Sequence, residues 1–108
     1  MTEQAEISAV LVALADPTRR QLLDALVAEG TASATTLATR LPVSRQAVLK
    51  HLNVLTEAGL VESGRVGHEV RYQVQPSMLD ASARWLTELA ATWDRRLNAL
   101  KRLAEQAE

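Results

Sequence analysis

The apolar positions of this chain change period twice, and the changes divide it into helices, a hairpin and one long final helix. Ile7, Val10, Leu11 and Leu14 recur at i, i+3, i+4 and i+7, so residues 5–15 predict a first helix with one buried face. Asp16-Pro17 ends it, with Asp16 suited to cap a second helix and Pro17 suited to its first turn. That helix runs to Glu29, turns Leu22, Leu23, Leu26 and Val27 inward, and stops at Gly30. Thr31-Ala32-Ser33 reads as a loop, and Thr31 or Ser33 caps a third helix from Ala34 to Arg40, with Leu37 and Leu41 inward. Pro42-Val43-Ser44 makes a tight turn, and a fourth helix capped by Ser44 runs to Ala58 and closes at Gly59. The period then falls toward two. Leu60 to Arg65 and Glu69 to Val74 predict two strands, with Val66-Gly67-His68 between them. Such a hairpin is marginal alone and must pack on the helices. Ser77 caps a last helix from Met78 to Glu105. Its stripe is Leu86, Leu89, Trp93, Leu97, Leu100 and Leu103, with Trp85 beside it.

This order predicts a mainly α fold with a small β-hairpin (α+β): a winged helix-turn-helix, α-α-α-α-β-β-α. At 108 residues it is read as one domain over residues 1–108, with 33–58 the helix-turn-helix and 60–75 the wing. The long last helix exceeds what one small core covers. Its uncovered stripe predicts a self-complementary two-fold interface.

Composition narrows the core and the chemistry. Apolar residues make up 47% of the chain but there is no Phe, so the core must be Leu, Val and Ala at close helix–helix distances. The chain has no cysteine, which excludes disulfides, thiol nucleophiles and thiolate metal sites and fits a cytoplasmic location. Neither a signal-peptide core nor an apolar run of about 20 residues is present. The formal net charge is −1, but its distribution is uneven: residues 35–75 hold five basic and three acidic groups and both histidines, whereas residues 1–34 hold two basic and five acidic. Carboxylates are scattered, no Ser-His-Asp grouping can be argued and no phosphate-binding glycine loop occurs. No catalytic residue, enzyme activity or cofactor is expected.

The stretch from Ser44 to Leu55 carries the functional signal. Val48, Leu52 and Leu55 fall on one face of the fourth helix. The other face holds Gln46, Ala47, Lys50 and Asn53, bordered by Arg45 and His51. A short helix with a dry face and a donor-rich face suits a DNA major groove. Ser44 and the free amides behind it suit a phosphate. Arg45 suits guanine, Gln46 suits adenine, and Lys50 suits a phosphate or guanine.

From about residue 7 to 100 the sequence resembles the ArsR/SmtB family of winged-helix repressors. The resemblance rests on Leu14-Ala15-Asp16-Pro17-Thr18-Arg19-Arg20, Leu37-Ala38, and Val43-Ser44 with Val48-Leu49-Lys50-His51-Leu52 and Leu55. Ala58-Gly59-Leu60-Val61, Gly67 and Tyr72 complete it. It implies a homodimer built from the first and last helices (1–15 and 77–105) that represses from a pseudo-palindromic operator until an effector releases it. Many members sense metals. This chain departs from them: no cysteine falls near Ser33 to Leu37, and residues 76–108 contain no histidine. It is therefore placed in the subgroup lacking the metal-binding residues, with no metal site.

The expected DNA-binding residues are Ser44, Arg45, Gln46, Ala47, Lys50 and His51 on the helix and Arg65, His68 and Arg71 on the wing. Three positions have two readings each. His51 meets a phosphate or packs as a polar border residue under the hairpin. Arg71 meets DNA or pairs with Glu69 or Glu62. Arg19 and Arg20 form an internal ion pair or contact phosphate. Ile7, Val10, Leu11, Leu14, Trp85, Leu86, Leu89, Trp93, Leu97 and Leu100 are the expected dimer interface, with an effector pocket the second reading for Trp85 and Trp93. The expected partners are double-stranded DNA, a second copy of the chain and an unidentified small-molecule or protein effector, with no membrane. A module for protein–protein contact without DNA binding is the alternative.

Overall fold

The computed structural model describes residues 2–107. They form α1 (Glu3–Leu14), α2 (Pro17–Glu29), α3 (Ala34–Arg40), α4 (Arg45–Glu57), β1 (Val61–Val66), β2 (Glu69–Val74) and α5 (Ser77–Gln106), a winged helix-turn-helix. Short polar side chains start the first four helices. Thr2 accepts from the Ala5 amide, Asp16 from Thr18 and Arg19, Ser33 from Thr36 and Ser44 from Ala47. Ser33, rather than Thr31, is thus the α3 cap. α5 departs from expectation. Pro76 already has helical angles (φ −80°, ψ −13°), which moves the helix start forward, makes Ser77 its first residue and leaves no side-chain cap.

α4 closes with a Schellman motif. The Leu60 amide donates to the Leu55 carbonyl at 2.9 Å and the Gly59 amide to Thr56 at 3.0 Å. Gly59 adopts φ +77°, and a Cβ there would also press on Met78 at 3.1 Å. α1 ends without a left-handed residue, and its last turn holds no basic residue. Arg19 and Arg20 of α2 reach back instead: Arg19 donates to the carbonyls of Ala13 (2.7 Å) and Val12 (3.2 Å), and Arg20 to Leu14 (2.5 Å). Two cations therefore serve the negative end of the preceding helix dipole.

β1 and β2 pair antiparallel from Val61↔Val74 to Val66↔Glu69, joined by Gly67-His68. Gly67 has φ +65° and no non-glycine residue among those described has positive φ, the signs of a type II′ turn. The segment read as a loop before α3 also joins the sheet. The Ala32 amide donates to the Tyr72 carbonyl (3.1 Å) and the Tyr72 amide to that of Ala32 (2.9 Å). A single paired residue leaves no alternation in sequence by which to find it.

Val10, Leu22, Leu26, Leu37, Val48, Leu52, Leu55 and Leu60 form the fully buried centre of one core shared by α1–α4 and the root of the hairpin. Two residues expected inward are not. Leu11 is 37% and Val27 69% exposed. Ala13 lines the core side of α1 instead of Leu11. α2 docks through Leu22, Leu23 and Leu26, and Val27 lies about 90° off the centre of that face.

α5 runs away from this core. Among the described residues its backbone lies against α1 alone, and only Ser82 is fully buried. Trp85 is half-buried, while Leu86, Leu89, Trp93, Leu97, Leu100 and Leu103 are exposed. The radius of gyration is 19.0 Å, against about 13 Å for a compact domain of this length. No helix of the described residues is long and apolar enough to cross a membrane.

Asp16 links this architecture to pH. Partial burial pushes its carboxyl pKa up, but the Thr18 and Arg19 amides and the charges of Arg19 and His51 outweigh that and hold it below the ordinary value. A depressed folded pKa stabilises above the unfolded pKa, and the benefit is lost as pH falls through the folded one. Asp16→Asn keeps a good cap without the charge. Its stability should therefore fall less steeply than that of the wild type over that acid range, as read by urea unfolding at a series of pH values.

Candidate nucleic-acid interface

The site is built from three pieces: the α3–α4 turn, the polar face of α4 and the distal hairpin. Leu41-Pro42-Val43 turns the chain, and Ser44 begins α4 with its Oγ accepting from the Ala47 amide at 3.1 Å. Val48, Leu52 and Leu55 are 0% exposed, so α4 has one orientation. Gln46, Lys50 and Asn53 are consequently exposed on the opposite side, Arg45 is exposed at its border in the first turn, and Ala47 and His51 are half-buried at its edges. The described residues hold no group of three or more His, Cys, Asp or Glu side chains gathered as a metal site.

The residues singled out from sequence do not all meet. Arg45 and His68 line one cleft of about 260 Å³ with Ser33, Thr35, Leu49 and Tyr72, so the hairpin turn stands beside the N-terminus of α4. Arg65 pairs across the ladder with Val70 and shares its sheet face with Ser63 and Tyr72. Arg71 sits on the opposite face, opposite Gly64. There its Nε donates to Glu69 (3.1 Å) and its Nη1 to Thr31 (3.0 Å). Of the two readings open for Arg71, the structure contains the ion pair.

Arg19 and Arg20 likewise have internal partners. Arg19 lies 3.6 Å from Asp16 and 3.5 Å from Nδ1 of His51, in addition to its two carbonyls. His51 thus faces α2. In the expected dimer surface, Ile7 (2% exposed) and Val10 (0%) are already covered within the protomer, whereas the α5 residues from Leu86 onward are open.

Thr35 was missed by sequence reasoning. Its Oγ1 accepts from the Arg45 Nε at 3.1 Å, bracing the first residue of α4 against α3. The available signal was the run Ser33-Ala34-Thr35-Thr36, whose third member lies in the first turn of α3.

Comparison with known proteins agrees with this geometry. A family model described as a helix-turn-helix domain matches residues 14–64. The chain is 41% identical over 93 residues to the HTH-type transcriptional regulator Rv2034 of Mycobacterium tuberculosis, covering 86% of this chain and 83% of that protein. It is 32% identical over 77 residues to the transcriptional repressor SdpR of Bacillus subtilis, covering 71% of this chain and 84% of that one. The solved structure of an ArsR-like transcriptional regulator from Rhodococcus sp. RHA1 superposes with a TM-score of 0.84 at 50% identity, over 94% of each chain. The chain belongs to the ArsR family. As an ArsR-family protein it is a DNA-binding transcriptional regulator and not an enzyme. The helix-turn-helix of this ArsR regulator, α3 and α4, lies wholly within the matched segment.

Proposed function

We propose that this ArsR regulator is a homodimeric repressor that lays α4 in the major groove of each half of a pseudo-palindromic operator. The observation that carries the reading is the seating of α4: Val48, Leu52 and Leu55 are fully withdrawn, Gln46, Lys50 and Asn53 are left exposed, and Arg45 at its start stands beside the hairpin turn. Arg45 and Gln46 read base edges, Lys50 and Ser44 hold phosphate, and Ala47 and His51 border the contact. Arg65 and His68 follow the neighbouring backbone. Arg71, tied to Glu69 and Thr31, braces the wing from its far side. Repression is supported by the likeness to a protein named as a transcriptional repressor.

The dimer is supported by the stripe on α5. Leu86, Trp93, Leu97 and Leu100 are 46–62% exposed, a continuous apolar strip that one protomer leaves uncovered. A second copy related by a two-fold axis covers it and spaces two α4 helices about one DNA turn apart. The trigger is an unidentified small-molecule or protein effector and not a metal, since the chain has no cysteine and residues 76–108 have no histidine.

The primary test is fluorescence anisotropy with DNA upstream of the protein's own gene, across a salt series and against unrelated competitor. Arg45→Ala and Gln46→Ala should each lose about 1–3 kcal/mol, mainly as sequence preference. Full affinity in both would reject the assignment of this face, and no preference over competitor in a wider DNA selection would favour a protein-contact module. Leu97→Glu should sediment as a monomer and bind operator more weakly. Zinc at stoichiometric concentration should leave operator affinity unchanged; a clear loss would restore metal sensing.

A further inference from the structure

We infer that Arg19 is a positioning residue for DNA binding, holding the His51 imidazole as its Nε2–H tautomer so that α4 presents a hydrogen-bond donor at that point. The inference rests on the reading of α4 as the DNA-facing helix.

It begins with what a guanidinium can do. Every nitrogen of an arginine side chain carries hydrogen and none has a free lone pair, so arginine only donates. Arg19 Nη1 lies 3.5 Å from His51 Nδ1. A bond between them requires a lone pair on Nδ1, and a neutral ring then carries its proton on Nε2. The other tautomer would set two N–H groups against each other.

The contact is long, and its authority comes from the immobility of Arg19. Its Nε is held by the Ala13 carbonyl at 2.7 Å, Nη2 by Val12 at 3.2 Å, and Nη1 lies 3.6 Å from Asp16, with the side chain only 15% exposed. The ring, half-buried on α4, has to accommodate the guanidinium and not the reverse.

Phosphate oxygens only accept, so a neutral histidine serves one only through an N–H. An unrestrained ring divides between tautomers. Arg19 removes that choice, and with Nδ1 committed to the protein the proton lies on the far nitrogen. This also gives a use to a cation early in α2, where the helix dipole disfavours it.

Nitrogen-15 NMR of the ring at about pH 8, where imidazole is neutral, reads the tautomer directly, with His68→Ala used to assign the two histidines. Wild type should show Nε2 protonated and Nδ1 bare. Arg19→Lys keeps the charge but not the fork; it should give a tautomer mixture and operator binding weaker by about fivefold, one net hydrogen bond. Glutamine places its amide near the Nε2 position and asparagine near Nδ1. His51→Gln should therefore bind like wild type and His51→Asn should lose about the same fivefold.

Wild-type protein with Nδ1 protonated, or with mixed tautomers, overturns the inference without reference to DNA or to any variant. If His51→Asn and His51→Gln both bind like wild type, His51 is not at the DNA and the role given to Arg19 falls. Arg45→Ala in the same assay reports on α4 separately, so loss of the whole reading is distinguishable from loss of this part.

Discussion

Val48, Leu52 and Leu55 are withdrawn completely from solvent, and this seating of α4 is the constraint on which the rest of the protein depends. A helix with one face packed at the density of a protein interior has no freedom to roll. Fixing the dry face fixes the heading of Arg45, Gln46 and Lys50 as well. The core beneath contains no phenylalanine and is filled by leucine, valine and alanine. Small side chains keep the helices close, and close helices allow contacts such as that from Arg45 to Thr35.

A second layer of order comes from polar side chains that finish the backbone bonding of their neighbours. Asp16 starts α2, while Arg19 and Arg20 finish α1. The junction between the two helices is thus bonded from both sides, at a place where two helix ends and two sets of orphan amides and carbonyls meet. The same guanidinium touches His51, so the end of α1 and the middle of α4 share a fixed point.

Most of the fold was legible because its signals are periodic. The i, i+3, i+4 spacing marked the helices, Gly30 and Gly59 marked two ends, and the change of period marked the hairpin. What escaped has no period. Ala32 joins the sheet by backbone alone, and Ser77 lost its cap role to the conformation of the preceding proline. Val27 looks like its neighbours in sequence yet lies outside the docking face. In the site, the polar face of α4 was legible from the residues opposite its buried stripe. The choice between partners for Arg19 and Arg71 was not, because a long cationic side chain reaches several acceptors and only the tertiary arrangement selects among them.

The pairing of Ala32 with Tyr72 turns the wing into a cantilever. Its root is clamped on both edges of β2, to β1 and to Ala32, directly before α3. Beyond Tyr72 the ladder continues for three rungs, Gly64↔Arg71, Arg65↔Val70 and Val66↔Glu69, an arm of about 10 Å that runs past the start of α3 and α4. Gly64, on the first of these rungs, has nothing within 4 Å of where a side chain would be, while its partner Arg71 ties the same rung to Thr31 on the other side. Arg65 and His68 are mounted beyond that brace, on the outer part of the arm. The heading of the arm is thus set by the segment that leads into α3, and the register of α4 by the core.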